Sequence, residues 1–556
     1  MRFAGSFFDG ASKVFRHRPT FFKLVVILAG ASTGGLVAYA DSKSGLNVQS
    51  SQGTSKRKVV VLGTGWAATS FLRNLDSSLY DVKVISPRNY FAFTPLLPSV
   101  TCGTVEARSV VEPIRRIIRK LDIVSFDIVK VAADLIFSFC SSRQKVGKIK
   151  FWEAECFKID PTSKIIHCRS TAVTNPVGTD EFVVDYDYLV IAVGAQANTF
   201  NTPGVEDNCH FLKEVEDAQR IRSSVIDCFE KACLPDLDEE DRKKYLHFVI
   251  IGGGPTGVEF AAELHDFVTE DLSKLYPSVS GLVKISVIGA GEHLLTMFDE
   301  RISKFAEEKF QRDGIELKTG FKVVKVSVND FTMKAKSTDD ISVPYGMAVW
   351  SAGIGTRPVI LDFMKQIGQG GRRALATDEW LRVCGCDGVY ALGDCATISQ
   401  RKVMEDITEI FRVADKDNSG TLTMKEIQDV LEDICIRYPQ VELYLKSKHV
   451  NSILELLKDS KGDVTKEAIQ VDIEEFKKAL AVVDSQVKTL PATAQVAAQQ
   501  GDYLARCFNK IKDCEEHPEG PLRIREAGRH QFRPFLYVYC SSHAMFCMGG
   551  HKISLA

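Results

Sequence analysis

Three short runs in this 556-residue chain set residue types at spacings that particular chemistries need. The first is Gly63-x-Gly65-x-x-Ala68, directly after the β-branched run Lys58-Val-Val-Val-Leu62. A glycine turn between a strand and a helix lets a pyrophosphate approach the backbone and aims the helix N-terminus at its charge. The second, Gly252-Gly-Gly254-Pro-Thr-Gly257, follows Leu246-His-Phe-Val-Ile-Ile251 and precedes a helical run from Val258 to Asp266. One such turn is a weak signal, but two in the same setting predict two dinucleotide sites. The third is Asp415-Lys-Asp417-Asn-Ser419-Gly420-Thr421-Leu-Thr423-Met-Lys-Glu426. It offers oxygen at every ligand position of a calcium loop: Asp415, Asp417, Ser419, the Thr421 carbonyl, Thr423 directly or through water, and bidentate Glu426. Gly420 permits the sharp turn.

These runs need elements to hold them. Asp81-Val-Lys-Val-Ile-Ser86 reads as a second strand after the first turn, ending in Ser86 where an acid usually takes a ribose hydroxyl. Serine meets that hydroxyl only as a neutral donor or acceptor. Tyr188-Leu-Val-Ile-Ala-Val-Gly194 is another buried strand ending in glycine, and Gly388-Val-Tyr-Ala-Leu-Gly393-Asp394 ends in Gly-Asp. Val283-Lys-Ile-Ser-Val-Ile-Gly289 is the second strand of the other dinucleotide unit, with Glu292 close behind. Ile407, Ile410 and Phe411 before the calcium loop, and Ile427, Val430, Leu431 and Ile434 after it, fall at helical spacing. A degenerate second hand starts at Asp459; its twelfth position is then Gln470, which predicts pairing without calcium. Lys+Arg 70 against Asp+Glu 72 gives a net charge of -2 and argues against a nucleic-acid partner. Fifteen cysteines without a Cys-x2-Cys pair predict neither a zinc site nor a disulfide scaffold.

The first glycine turn, the Tyr188 strand and the Gly-Asp strand, in that order, resemble the FAD-binding half of flavoproteins with two dinucleotide-binding domains. The second turn sits where their NAD(P)H domain is inserted. Pro87-Arg-Asn-Tyr-Phe-Ala-Phe-Thr-Pro-Leu-Leu-Pro98, residues 252–259 and Thr493-Ala-Gln-Val-Ala-Ala-Gln-Gln500 are similar to type II NAD(P)H:quinone oxidoreductases. The leader described below and the calcium loop narrow the resemblance to the plant external, calcium-binding group. It implies an α/β fold of two Rossmann-like domains, glutathione-reductase-like, with an all-α EF-hand insertion. The implied cofactors are FAD, NADH and/or NADPH, and Ca2+, and the implied acceptor is ubiquinone. Nicotinamide would deliver hydride to the flavin, which would pass two electrons to the quinone without proton pumping. A homodimer, peripheral on the intermembrane-space side of the inner mitochondrial membrane, is expected.

On the same basis Gly63, Gly65, Ala68, Ser86, Pro87, Gly194, Gly393 and Asp394 belong to the FAD site, and Gly252, Gly254, Gly257, Gly289 and Gly353 to the NAD(P)H site. Glu259 is expected in the first turn of its helix, where it either stabilises the N-terminus or, by resemblance, assists proton delivery to quinone. Gln495 and Gln499 share a helix face; they line the quinone site by resemblance, or are ordinary polar amides. NADH-selective relatives carry Glu at the strand end held here by Gly289. Its loss removes repulsion of a 2′-phosphate, so NADPH is expected to be accepted as well as NADH.

The implied organisation is a leader at 1–57, FAD domain at 58–240, NAD(P)H domain at 241–370, a second FAD part at 371–402, the calcium insert at 403–485, an FAD-domain end carrying the quinone segment at 486–535, and an atypical C-terminus at 536–556. Residues 1–23 are basic and aromatic with Asp9 as the only acid, and 24–40 are uncharged. This reads as a mitochondrial or plastid presequence followed by a hydrophobic segment, or as a secretory signal ending near Ala38-Tyr-Ala40. Two stretches depart from the family. Residues 121–147 are a helical insertion or translated intron sequence. The altered C-terminus replaces an amphipathic region that completes the quinone site and membrane attachment, which leaves open a calcium-binding flavoprotein impaired in quinone reduction. A ferredoxin or monodehydroascorbate reductase on the same scaffold is the other alternative. Only Cys102 lies where a redox Cys-x4-Cys would be, and Cys384-Gly-Cys386 reads as structural, so direct transfer to quinone is preferred to a dithiol relay.

Overall fold

Val59, Val60 and Val61 have no polar face to turn to water, and the chain covers both sides of them. They lie in the strand Arg57–Leu62, inside a seven-stranded sheet of order Val389–Ala391, Tyr188–Ile191, Arg57–Leu62, Tyr80–Ser86, Lys150–Asp160, Ile165–Ser170 and Glu181–Asp185. The first five strands are parallel and the last two antiparallel. Because side chains alternate along a strand, Val59 and Val61 join a core with the helices Trp66–Asn74 and Ala494–Asn509, while Val60 and Leu62 join one with the helix Pro358–Gln366. The computed structural model describes residues 56–122, 149–171, 181–335, 339–399, 402–438, 441, 470–485, 490–510, 535, 545–548 and 551–554. The leader up to residue 55, the interior of the 121–147 stretch, the start of the second hand and most of the C-terminal stretch lie outside them.

The second nucleotide unit is a five-stranded parallel sheet of order His210–Phe211, Met347–Trp350, His247–Ile251, Lys284–Gly289 and Glu316–Thr319. Its edges differ from the 241–370 expected. His210–Phe211 pairs with Met347–Trp350, and the helix Val215–Ala232 packs in the same core, so the unit takes in residues before 241. At the other end, Ile360, Phe363 and Met364 pack into the flavin-side core. Local patterning cannot reveal this, because a two-residue strand carries no periodicity. The antiparallel pair Gln196–Ala197 and Ile354–Gly355 carries the chain between the two units.

The stretch expected to be the calcium insert has its own apolar core, built from Ile407, Ile410, Phe411, Ile427, Val430, Ile434, Phe476 and Leu480 among others. Its ends meet: the Asp484 carboxylate accepts from the Val403 and Met404 amides at 3.1 and 3.0 Å. It is not purely helical, since Thr421–Thr423 pairs with Gln470–Asp472. That pairing corrects the register expected for the second hand. Thr421 faces Asp472 and Thr423 faces Gln470, so Asp472 stands where Thr423 does and Glu475 where Glu426 does. Glu475 N donates to Asp472 at 2.8 Å, as Glu426 N donates to Thr423 at 3.4 Å. The twelfth position is therefore an acid, not Gln470. Counting back, the first, third and fifth positions fall on Val464, Lys466 and Ala468. The expectation of a hand without calcium rests on those three instead.

Candidate functional site

At the first turn, Gly63 has φ +107°, and a Cβ there would stand 2.3 Å from the Ala192 carbonyl oxygen. The chain thus turns in a space that admits no side chain. Gly65 caps the helix Trp66–Asn74, and nothing lies within 4 Å of the point a Cβ would occupy. Ala68 is fully buried, where a larger residue would push helix from sheet. A small open cradle before a helix N-terminus fits the diphosphate of FAD. Gly194, at φ +65°, faces open space in the same way.

Ser86 differs from the expectation. It is 3% exposed, its hydroxyl lies 3.2 Å from Thr64 Oγ1, and it accepts from Arg88 N at 3.1 Å. It braces the turn rather than presenting a free hydroxyl to a ribose. Beyond the strand end lies a cavity of about 350 Å³ lined by Pro87, Arg88, Tyr90, Glu153, Glu214 and Arg357 among others. Arg88 pairs with Glu214, and Arg357 Nε donates to the Val193 carbonyl at 2.8 Å, next to the backbone that encloses Gly63. Burial pushes the Glu214 carboxyl up, against the pull of both guanidiniums, and burial pushes Arg357 down. Arg88 and Arg357 share this lining with Glu153, Glu214 and Glu216, so the charge there is mixed, and the two guanidiniums are the cations a diphosphate would meet. Neither arginine was singled out from sequence, since Arg357 comes from a distant segment.

The Gly-Asp strand end meets the 493–500 segment. Gly393 has φ +69°, and its amide donates to Gln500 Oε1 at 2.7 Å. Asp394 is pushed up by burial, with Lys213 opposing. A cavity of about 390 Å³ opens here, between Gly393, Asp394 and Thr397 on one side and Thr493, Val496 and Gln500 on the other. The helix Ala494–Asn509 is held close because a Cβ at Gly501 would stand 2.2 Å from the Ala67 carbonyl oxygen. Of the glutamines named from sequence, Gln495 is exposed and Gln499 half-buried. The cavity-facing stripe is Val496 and Gln500, one residue further on. Gln500, 5% exposed, was missed; its apolar neighbours Ala497 and Leu504 gave its face away.

In the second unit Gly252 has φ +132°, with a would-be Cβ 2.7 Å from Ser351 Oγ, and a Cβ at Gly257 would meet the Gly252 carbonyl oxygen at 2.2 Å. Gly254 is the N-cap of the helix Pro255–Phe267 and faces open space. Glu259 is the fifth residue of that helix, past the first turn, so the capping role falls away. Its carboxyl is pushed up to about 7, first by burial and then by Glu263. Glu263 accepts from Ser99 and Thr104 at 3.0 Å each, which ties the helix to the 94–104 segment of the flavin side. A carboxyl half-protonated near neutrality can give and take a proton. Gly289 ends its strand with open space at its Cβ position, and Glu292 is exposed. Gly353, at φ +71°, lies under Phe200, whose ring would be 2.5 Å from a Cβ.

The carboxylate oxygens of Asp415, Asp417 and Glu426 lie within 4.8 Å of one another. The Ser419 amide donates to Asp415 and Asp417, and the Gly420 amide to Asp415, all at 2.9 to 3.0 Å. Ser419 Oγ donates to the Thr421 carbonyl, and Thr423 caps the next helix reciprocally with Glu426. These hydrogen bonds hold Asp417 and Glu426 below the usual carboxylate range. Three converging carboxylates with Gly420 at φ +78° fit Ca2+. Replacing Glu426 by Gln is expected to weaken calcium binding about 100-fold by removing the bidentate carboxylate, as read by titration calorimetry.

Cys102 is buried and its thiol is pushed up to about 12, while Cys384 and Cys386 line a separate surface cavity. Neither arrangement offers a thiolate beside the Gly-Asp turn. Among the described residues no helix is long and apolar enough to cross a membrane.

The model of the pyridine nucleotide-disulphide oxidoreductase family matches residues 57–414. An external alternative NAD(P)H-ubiquinone oxidoreductase B2, mitochondrial, from Arabidopsis thaliana is 61% identical over 98% of this chain and 90% of its own length. The B1 protein of Solanum tuberosum is 59% identical over 97% and 89%. The solved structure of NDH2 from Plasmodium falciparum in complex with NADH matches with a TM-score of 0.71 at 30% identity, covering 89% of each chain. Glycine turns, Gly-Asp turn and paired sheets thus agree with near full-length similarity, and the chain belongs to the external alternative NAD(P)H-ubiquinone oxidoreductases of the pyridine nucleotide-disulphide oxidoreductase family.

Proposed function

We propose that the protein oxidises NADH and NADPH and reduces ubiquinone by two electrons, without moving protons across a membrane. The observation that carries this reading is the cavity between Gly393-Asp394 and the helix face of Val496 and Gln500, with Gly393 itself against Ala67 of the helix that follows the first glycine turn. When bound, FAD accepts two electrons from the nicotinamide and hands them to the quinone. Gly63 and Gly65 would hold its diphosphate, with the Arg88 and Arg357 guanidiniums on the lining beyond the strand end. Gln500 fixes the Gly393 amide, and with it the approach of Asp394. Glu259 stores the proton at its carboxyl oxygen. Calcium held by Asp415, Asp417, Ser419, Thr421, Thr423 and Glu426 regulates turnover. The site of action is the external face of the inner mitochondrial membrane, with the protein peripheral and dimeric; the mitochondrial relatives support this placement.

Anaerobic addition of NADH should bleach the flavin absorbance, and a ubiquinone analogue should restore it. Bleaching without recovery would point instead to a calcium-binding flavoprotein impaired in quinone reduction. The open strand end at Gly289 makes NADPH a substrate. Gly289→Glu should cut kcat/KM for NADPH by about tenfold or more and spare NADH, because a carboxylate there accepts from a ribose hydroxyl and repels a phosphate. Equal loss for both donors would rule out this account.

A further inference from the structure

The helix Met424–Arg437 has a function at each end. Glu426, its third residue, is the twelfth calcium position, and Arg437 is its last. Between them lies a stiff rod of roughly 17 Å. Arg437 Nη1 bonds Glu379 Oε1 at 2.8 Å with both side chains 11% exposed, and its guanidinium sits 4.8 Å from the centre of the Trp380 ring. Glu379 and Trp380 belong to the flavin domain, outside the calcium insert.

Their loop is stiff. Asp378 accepts from the Trp380 and Arg382 amides at 3.0 and 2.9 Å and pairs with the Arg382 side chain, while Leu381 is held at φ +66°. The loop directly follows the strand Leu375–Thr377, which pairs residue for residue with Ala396–Ile398. Ala396, Thr397 and Ile398 line the cavity beside Gly393-Asp394. A buried ion pair contributes little net stability but demands one geometry. An aromatic face over the same guanidinium narrows that geometry further.

Glu426 accepts from the Lys416 and Thr423 amides. A cation that drew both Glu426 oxygens would replace these bonds at the first turn of the helix, and a stiff helix would pass the displacement on to Arg437. We propose that Arg437 is the positioning residue that couples calcium at 415–426 to the quinone cavity, through Glu379 and the strand pair 375–377 and 396–398. This rests on the calcium reading above. It names the contact by which a distant ion changes quinone affinity.

Coupling between two binding sites is reciprocal. A quinone-site inhibitor should therefore tighten calcium binding to the holoenzyme, and calcium should tighten inhibitor binding by the same factor, within about 5- to 150-fold. In Arg437→Lys, which keeps the charge but loses the planar fork, calcium alone should bind with unchanged Kd, and kcat and KM in chelator should stay at the wild-type values. The inhibitor's effect on calcium Kd, and calcium's effect on inhibitor Kd, should both shrink at least about fivefold. Glu379→Gln should do the same, and the double variant should lose no more than either single one. Full retention of both effects in Arg437→Lys and Glu379→Gln overturns the coupling while leaving the calcium site standing. Absence of calcium binding in the unaltered holoenzyme overturns the calcium reading and this proposal together.

Discussion

Gly63→Ala is expected to yield protein without bound flavin and with NAD(P)H oxidation at background. The added methyl would stand 2.3 Å from the Ala192 oxygen and 2.9 Å from its carbonyl carbon, both main-chain atoms of the adjoining strand end. No flexible side chain can yield, and φ +107° is closed to alanine even before the clash. The turn must open, and with it the alignment of the helix that begins at Trp66. Flavin released by denaturing a known amount of variant, compared with wild type, measures the loss. Stoichiometric flavin in Gly63→Ala would show that the turn does not set the cofactor's position.

Glu259→Gln is expected to lower kcat for quinone reduction by roughly 100-fold, the lower end of what a positioned acid supplies. Reduction of the flavin by NADH in single turnover should change little, because that half-reaction needs no proton from this carboxyl. Wild-type kcat should titrate with a group near 7, and the variant should lose that limb. Stability gives an independent check. The folded carboxyl, at about 7, holds a proton that an ordinary carboxyl at 4.5 has lost, so stability falls as pH rises between those values. Above that window the wild type bears a penalty of about 1–2 kcal/mol, allowing for water at the exposed edge of the group. Glu259→Gln should therefore melt higher than wild type at about pH 8 and equally at about pH 4. A kcat profile that keeps its limb in the variant would assign the titration to another residue.

How much was legible follows from how local each signal is. The glycine turns could be read directly, because a diphosphate against a helix N-terminus imposes a short-range rule on residue type. The calcium loop is local in the same sense: its six ligand positions fit within twelve residues. Arg88 and Arg357 were not legible, since their shared neighbour Glu214 lies far from both in the chain and only the fold unites them. Gln500 was one position away from being named. Sharing a face correctly paired Gln495 with Gln499, but the phase of the helix is set by Gly501 lodging against Ala67, a contact between the two ends of the flavin domain. Glu259 was named, yet its protonation depends on burial that no motif records. The second hand was misplaced because its acids were counted from the front, whereas the pairing with Thr421–Thr423 fixes them from the back.

The close seat of Gly501 on Ala67 also orders events in time. The helix Trp66–Asn74 emerges early in synthesis, but the helix that covers it, Ala494–Asn509, is made more than 400 residues later, after the whole nucleotide insert and the calcium insert. Tyr80 waits equally long for its acceptor, the Phe508 carbonyl at 2.6 Å. The inserts close local contacts and fold on their own schedule, whereas the flavin domain must keep an apolar helix face open until nearly all of the chain exists. A chain that ends before residue 494 therefore leaves the apolar face of the helix Trp66–Asn74 without its cover.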